Sequence, residues 1–155
     1  MKRSKALRAI VTAWLVVGVL DITSAFVIAA IKGSGSIRML QGIASGLLGR
    51  RSFEGGVGTA AFGLAIHFFV ALVVVSVFYL ASRKIDFLTR QPVVSGLVYG
   101  IAVYVFMYWV VIRLVFPNAR PSLSRDVTAV LVHMFLIGMP TALVISHFSK
   151  QSSNS

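Results

Sequence analysis

The sequence contains no cysteine and only four acidic residues. The lack of thiols excludes disulfide bonds, cysteine nucleophiles and iron–sulfur ligation. The acidic residues are scattered, so no pair of carboxylates is placed for acid–base hydrolysis. Zinc-protease, phosphate-loop and serine-hydrolase motifs are also missing. We therefore expect no catalytic residue and predict that the chain is not an enzyme.

Charge of either sign is scarce. Charged residues make up 12% and hydrophobic residues 57% of the 155 positions, against about 25% and roughly 45–50% in an average soluble domain. So few charges cannot cover the surface of a soluble globule, which indicates that lipid is part of the solvent. The length corresponds to one domain, and we expect residues 1–155 to form a single transmembrane domain.

The charge that is present is mostly positive, with 15 basic residues and a net charge of +11. The basic residues lie between apolar blocks and do not form one stripe or tail. This placement is typical of attraction to anionic lipid head groups at the bilayer surface. It disfavours nucleic acid, which would select a continuous basic face. The predicted partners are therefore the lipid bilayer and its anionic head groups.

Four apolar stretches are long enough to cross a bilayer, which requires about 20 helical residues. They lack the alternation and turn signals of strands. The first follows several basic residues, as in a signal peptide, but is longer than the usual apolar core of about 7–15 residues, so we expect a retained helix. The predicted fold is an all-α, integral membrane four-helix bundle running up-down-up-down, with helices at 10–31, 57–81, 93–115 and 127–148.

The segment between the first two predicted helices, residues 37–51, repeats apolar residues at helical spacing between polar ones. This pattern predicts a short amphipathic helix that lies in the membrane interface or against the bundle. Gly42 and Gly46 form a small-xxx-small pair that allows close packing. A gate or a partner-binding loop is the alternative, because loops of this length are often functional.

Basic residues are divided almost equally between the two sides of the predicted bundle. The positive-inside rule therefore depends mainly on the first helix. That helix is preceded by four cations, which favours a cytoplasmic location of both termini; they are Lys2, Arg3, Lys5 and Arg8.

Asp21, His67 and His133 are ionisable and fall deep inside the predicted helices, whereas Arg113 and His147 lie near helix ends. Lys84 follows His67 at the same separation at which Lys150 follows His133. Because an α-helix rises by a fixed amount per residue, the two histidines should lie at similar depth, with Asp21 within one or two turns of them. An ionisable group in the bilayer core costs about 2.5–3.5 kcal/mol or more, so each of these residues requires a partner or water.

The third predicted helix contributes two tyrosines at about the same depth in the membrane. Tyr104 and Tyr108 share a face with Gly100 at four-residue spacing, and Gly96 with Gly100 forms a close-packing pair. Pro140 lies within the fourth helix, where it should kink the helix or free a carbonyl group. We therefore predict a buried polar layer that consists of Asp21, His67, Tyr104, Tyr108 and His133.

Three functions remain open for this layer. The leading prediction is a membrane accessory or structural protein in which the polar groups bond across helices and fix their register. The second is a proton- or ion-linked channel or transporter subunit, because imidazole changes its charge near neutral pH. The third is a haem- or metal-binding protein, with His67 and His133 as ligands; in the leading prediction no cofactor is required. A pore would require a homo-oligomer, since the core of a single bundle is filled by side chains.

The second half of the chain also resembles a known family. His67 is followed by Phe69 and Tyr79, then by Gly96 and Gly100, then by Phe116-Pro117 with Pro121, and His133 precedes a basic end. Over residues 57–150 this pattern resembles YagU and related uncharacterised bacterial inner-membrane proteins. The resemblance implies a small helical bundle in the inner membrane of a bacterium. It implies no activity and no catalytic residue.

Overall fold

The computed structural model describes the backbone of residues 3–116 and 123–153 and the side chains of 4–116 and 126–150. This part of the chain is helical and contains no strand. Four helices in it are long and apolar enough to cross a membrane, which confirms the all-helical fold class and the number of candidate spans.

The long helices have the following bounds. Helix 1 is Arg3–Ile31 and helix 2 is Gly56–Ser82. Helix 3 is Pro92–Val115, in which Phe106–Val111 forms a π-helical segment. Helix 4 covers 123–153 and consists of Leu123–Val132, a π-helical segment His133–Gly138, and Met139–Ser153. The prediction treated the third and fourth stretches as continuous α-helices, and the two π-helical segments correct it.

Two shorter helices join them. The connecting helix, Ser36–Leu48, lies in the segment predicted to be amphipathic and is followed by a 3-10 turn, Gly49–Phe53. Its residues Gln41 and Ala44 are buried, and it packs against helix 2. A single helical turn, Phe87–Arg90, precedes helix 3.

Helix 1 ends because Gly33 adopts the left-handed conformation, with φ 71°. The N–H of Gly33 donates to the carbonyl oxygen of Ala30 at 3.0 Å, and the N–H of Ser34 donates to that of Ala29 at 2.8 Å. This pair of bonds is the Schellman motif, which satisfies the last carbonyl groups of a helix and favours glycine. The chain therefore turns back sharply after Ile31 and directs the connecting helix towards helix 2.

The core lies where helix 1 packs against helix 4 and helix 2. Helix 1 contributes the small side chains of Ala9, Ala13 and Val17, and helix 2 contributes Val75 and Phe78. Small residues allow the helix axes to approach closely. The partners from helix 4 are Ile137, Ala142 and Ile145.

Helices 3 and 4 approach even more closely, through glycines. A Cβ atom at Gly96 would lie 2.6 Å from the Cα of Met139, and one at Gly100 would overlap the carbonyl oxygen of His133. A Cβ at Gly138 would in turn overlap the carbonyl oxygen of Gly96. Residues with higher numbers in helix 3 contact residues with lower numbers in helix 4. The two helices are therefore antiparallel.

The outward surfaces of the four long helices are apolar. Phe69 is 65% and Leu114 is 79% exposed, and every long helix carries similar side chains. Exposed large apolar surface of this extent marks a protein or lipid contact. It agrees with helices whose surroundings are hydrocarbon.

Candidate functional site

The candidate site begins with a contact between helices 1 and 2. The Oδ2 atom of Asp21 lies 3.8 Å from the Nδ1 atom of His67. The side chains are only 26% and 11% exposed, respectively. This distance is that of an ion pair rather than a direct hydrogen bond. The structure thus brings into contact two residues that the sequence analysis assigned to one buried polar layer without pairing them.

The other ring nitrogen of His67 is also engaged. Its Nε2 lies 3.0 Å from the carbonyl oxygen of Gly18. A carbonyl oxygen can only accept a hydrogen bond, so Nε2 carries the proton. Nδ1, which faces Asp21, therefore carries a proton only when the imidazole is positively charged. The backbone of helix 1 sets the tautomer of a side chain on helix 2.

Gly18 and Trp14 of helix 1 pack against Phe68, the residue that follows His67. A Cβ atom at Gly18 would lie 2.5 Å from Cε1 of Phe68, so the absence of a side chain there lets the ring pack onto helix 1. The indole N–H of Trp14 donates to the carbonyl oxygen of Phe68 at 2.7 Å. The rings of Trp14 and Phe68 meet edge to face at 5.9 Å. Neither Trp14 nor Gly18 was predicted from the sequence to belong to this site.

His133 forms a second group with the two tyrosines of helix 3. The centre of its ring lies 5.9 Å from that of Tyr104 and 6.2 Å from that of Tyr108. The tyrosine rings lie 4.7 Å apart. The Nδ1–H of His133 donates to the carbonyl oxygen of Ala129 at 2.7 Å, one turn earlier in the same helix. Its Nε2 is therefore the acceptor atom of the neutral ring.

Helix 1 connects the two groups. It carries Asp21, which contacts His67 directly, and it also packs against the π-helical segment that starts at His133. Tyr104 and Tyr108 lie beside His133 on the helix 3 side.

The π-helical segments coincide with this region. One begins at His133 and ends at Gly138, directly before Met139 and Pro140; the other contains Tyr108. Pro140 has no N–H with which to continue the α-helical ladder, and a wider turn just before it redistributes the hydrogen bonds of the carbonyl groups. For Phe106–Val111 the sequence shows no comparable cause. Single π turns are frequent at functional sites.

The predicted packing glycines have different environments. Gly96 and Gly100 lie at the close crossing of helices 3 and 4, and a Cβ at Gly46 would lie 2.8 Å from the side chain of Val115. A Cβ at Gly42 would meet no described atom within 4 Å. The close approach of the connecting helix to helix 2 depends instead on Gly63, where a Cβ would overlap the carbonyl oxygen of Leu40. Of the predicted pair, Gly46 lies at a close contact with Val115, whereas Gly63, which was not predicted, lies at the contact with helix 2.

Metal ligation finds little support in the geometry. Among the described residues, no three histidine or acidic side chains are grouped closely enough to hold an ion. The Nε2 of His67 faces a backbone carbonyl and its Nδ1 faces a carboxylate. To serve as a haem ligand, His67 would have to break one of these contacts.

Comparisons with protein families, with known proteins and with solved structures give no match for this chain. The resemblance to the YagU-like proteins therefore stays a prediction. Function has to be proposed from the geometry of the site.

Proposed function

We propose that the chain is a multi-pass membrane protein whose four long helices form an up-down-up-down bundle, with the connecting helix Ser36–Leu48 in the membrane interface. The apolar outward faces of the long helices support this proposal. The connecting helix also has a buried side and an exposed apolar side. Gln41 and Ala44 are buried, whereas Ile37 and Leu47 are 50% and 71% exposed. Its exposed apolar residues suit a location at the boundary of head groups and acyl chains. The four cations at the N-terminal end, which precede the apolar part of helix 1, favour cytoplasmic termini.

Detergent dependence tests the membrane location. We expect the purified chain to aggregate when detergent is removed and to recover a single species in lipid nanodiscs. A chain that stayed monodisperse in plain buffer would overturn the proposal. Labelling of cysteines introduced at Ser34 and Ser82, which follow helix 1 and end helix 2, tests the topology, because we expect access from opposite sides of the membrane.

Within this bundle, the role that the geometry favours is structural or accessory: the polar layer holds the helices in register. The observation that carries this proposal is that His67 contacts helix 1 twice, through the carbonyl oxygen of Gly18 and the carboxylate of Asp21. Hydrogen bonds between membrane helices each contribute about 0.6 kcal/mol on average and up to about 1.7 kcal/mol. The two contacts are directional and therefore select one rotation of helix 2 against helix 1.

The test compares stability with transport for the same variants. We expect Asp21→Ala and His67→Ala to lower the melting temperature in detergent, and we expect wild-type proteoliposomes to show no ion flux above empty vesicles. Variants that changed flux at unchanged melting temperature would contradict a structural role.

A proton-linked channel or transporter subunit is the second candidate, and a specific observation favours it. Since Nε2 of His67 donates to Gly18, a neutral ring would direct the lone pair of Nδ1 at the carboxylate of Asp21. Two acceptors that face each other repel, and a net negative charge in hydrocarbon is costly. The pair therefore suits one bound proton, either on the carboxyl group or on the imidazole, and a site that holds one proton between two helices can pass it on.

This candidate is tested by proton flux into proteoliposomes that contain a pH-sensitive dye. Asp21→Asn removes the titrating group but keeps an N–H that can donate to Nδ1. A proton-linked role requires that the wild type conducts protons and that this variant abolishes the flux at a melting temperature close to wild type, whereas the exposed Asp86→Asn leaves flux unchanged. No flux from the wild-type protein, as a monomer or an oligomer, would exclude the candidate.

A further inference from the structure

A cavity of about 360 Å³ lies between the end of helix 1 and the start of the connecting helix. Its apolar wall consists of Ala25, Ile28 and Ala29 from helix 1, with Met39 opposite. Its polar rim consists of Lys32, Ser34 and Arg38. The cavity therefore combines a hydrocarbon surface with two positive charges and a hydroxyl group.

The turn after helix 1 creates this combination. The Schellman bonds at Gly33 and Ser34 fold the chain back, so Arg38 in the connecting helix returns to the side of helix 1 on which Lys32 lies. Ile31, the last residue of helix 1, is 80% exposed and apolar, and Lys32 follows it directly. This change from apolar to cationic marks the level at which the head groups of the proposed membrane begin.

Neither Lys32 nor Arg38 has an acidic partner within the part of the chain that the structure describes. The ion pairs found among the described residues are Asp21 with His67 and Asp86 with Arg90. The guanidinium carbon of Arg38 lies 5.1 Å from the centre of the Phe53 ring. A cation–π contact does not neutralise the guanidinium charge, which stays available to an anion.

We propose that this cavity binds one anionic phospholipid, with its phosphate on Lys32 and Arg38 and an acyl chain along Ala25, Ile28 and Ala29. A phospholipid is the occupant that uses both parts of the cavity, since a free anion would leave the apolar wall uncovered. The net charge of +11 favours an anionic over a zwitterionic head group. The inference depends on the membrane location proposed above but not on the role of the Asp21–His67 pair.

The test is native mass spectrometry of the detergent-purified protein titrated with phosphatidylglycerol and, separately, with phosphatidylcholine. We expect the first phosphatidylglycerol to bind at least tenfold more tightly than phosphatidylcholine. Each basic residue near anionic lipid contributes about fivefold in affinity, so Lys32→Gln with Arg38→Gln should weaken the first phosphatidylglycerol by about twenty-five-fold.

The matched control is Arg83→Gln with Lys84→Gln, which removes the same charge at two exposed positions after helix 2. We expect it to change the first binding constant by less than twofold. Equal losses in the two double variants would show general attraction between charges and overturn the site. No loss in either would do the same.

Two further arms identify the occupant. Ala25→Phe places a bulky side chain at a partly exposed position of the apolar wall and should weaken phosphatidylglycerol without removing a charge. An excess of inorganic phosphate should displace little lipid. Full displacement by phosphate, or an unchanged constant in Ala25→Phe, would show an anion site that does not bind the acyl chain. Because all arms use folded protein in detergent, a negative result here differs from a failure of the membrane location, which would appear as solubility without detergent.

Discussion

The Nδ1 atom of His67 faces the Oδ2 atom of Asp21 at 3.8 Å across the interface of helices 1 and 2. The backbone of helix 1 fixes the direction of this nitrogen, because the opposite side of the ring donates to Gly18. Either the pair is a structural contact or it holds a proton that moves. Substitutions at this pair and at neighbouring residues separate its contribution to the stability of the protein from that of other contacts.

Asp21→Ala should lower the free energy of unfolding by about 1 kcal/mol, because Nδ1 of His67 loses its partner in a region with little water. Asp21→Asn should cost less, since an amide N–H can donate to Nδ1. The melting temperature in detergent measures both. Asp86→Ala is the matched control: its ion pair with Arg90 has side chains about 80% exposed and should contribute less than about 0.5 kcal/mol. A rise in melting temperature for Asp21→Ala would show that the carboxylate destabilises the bundle.

Trp14→Phe should also destabilise the contact between helices 1 and 2. Phenylalanine keeps the edge-to-face contact with Phe68 but removes the N–H that donates to its carbonyl oxygen. We expect a loss of about 0.5–1.5 kcal/mol, as for a typical hydrogen bond. Trp109 is the other tryptophan. Its side chain is 59% exposed, and the guanidinium group of Arg113 forms a cation–π contact with its ring. Trp109→Phe should stay within about 0.5 kcal/mol of wild type, and a larger effect there than at Trp14 would contradict the predicted order.

Gly138→Ala should destabilise the protein, because the new methyl group would overlap the backbone of Gly96 and Gly100 and force helices 3 and 4 apart. Overpacking of this kind costs about 1–3 kcal/mol. Gly42→Ala should have the opposite sign. It lies within the connecting helix with open space around its Cα, and alanine is favoured over glycine in a helix by about 0.5–1 kcal/mol. Equal effects on the melting temperature would mean that the close crossing is absent in the protein.

The haem and metal alternatives predict spectroscopic and analytical signals. We expect the purified protein to show no Soret band and a metal content far below one ion per chain, because His67 is engaged on both sides by Gly18 and Asp21. Expression in medium supplemented with iron and a haem precursor makes the experiment stringent. A Soret band that is lost in His133→Ala would establish haem ligation instead.

The sequence predicted the depth of the polar residues but not their partners. The constant rise of an α-helix placed Asp21, His67 and His133 near one level. Their contacts depend on how each helix is rotated about its own axis, and the few polar residues of helices 1 and 2 do not form a polar face. A sequence without a polar face does not indicate which side packs inward. For this reason Trp14 and Gly18, which set the rotation of helix 1 against Phe68, gave no signal.

Some glycines at the close helix crossings were recognisable from the sequence, and others were not. Gly96 and Gly100 were recognisable because they repeat at four-residue spacing within one helix. Gly138 and Gly63 complete crossings with other helices, and neither has a second glycine four residues away in its own helix. Only the packing of two helices reveals that their missing Cβ atoms are required.

The sequence by itself determined that four segments are long and apolar enough to cross hydrocarbon, because length and hydropathy are local properties of a segment. The tertiary structure decided the tautomer of His67, the group formed by His133 and the two tyrosines, and the meeting of Lys32 and Arg38 at one cavity. These features arise from side-chain packing between helices and from the turn at Gly33, and both bring together residues that lie on different helices.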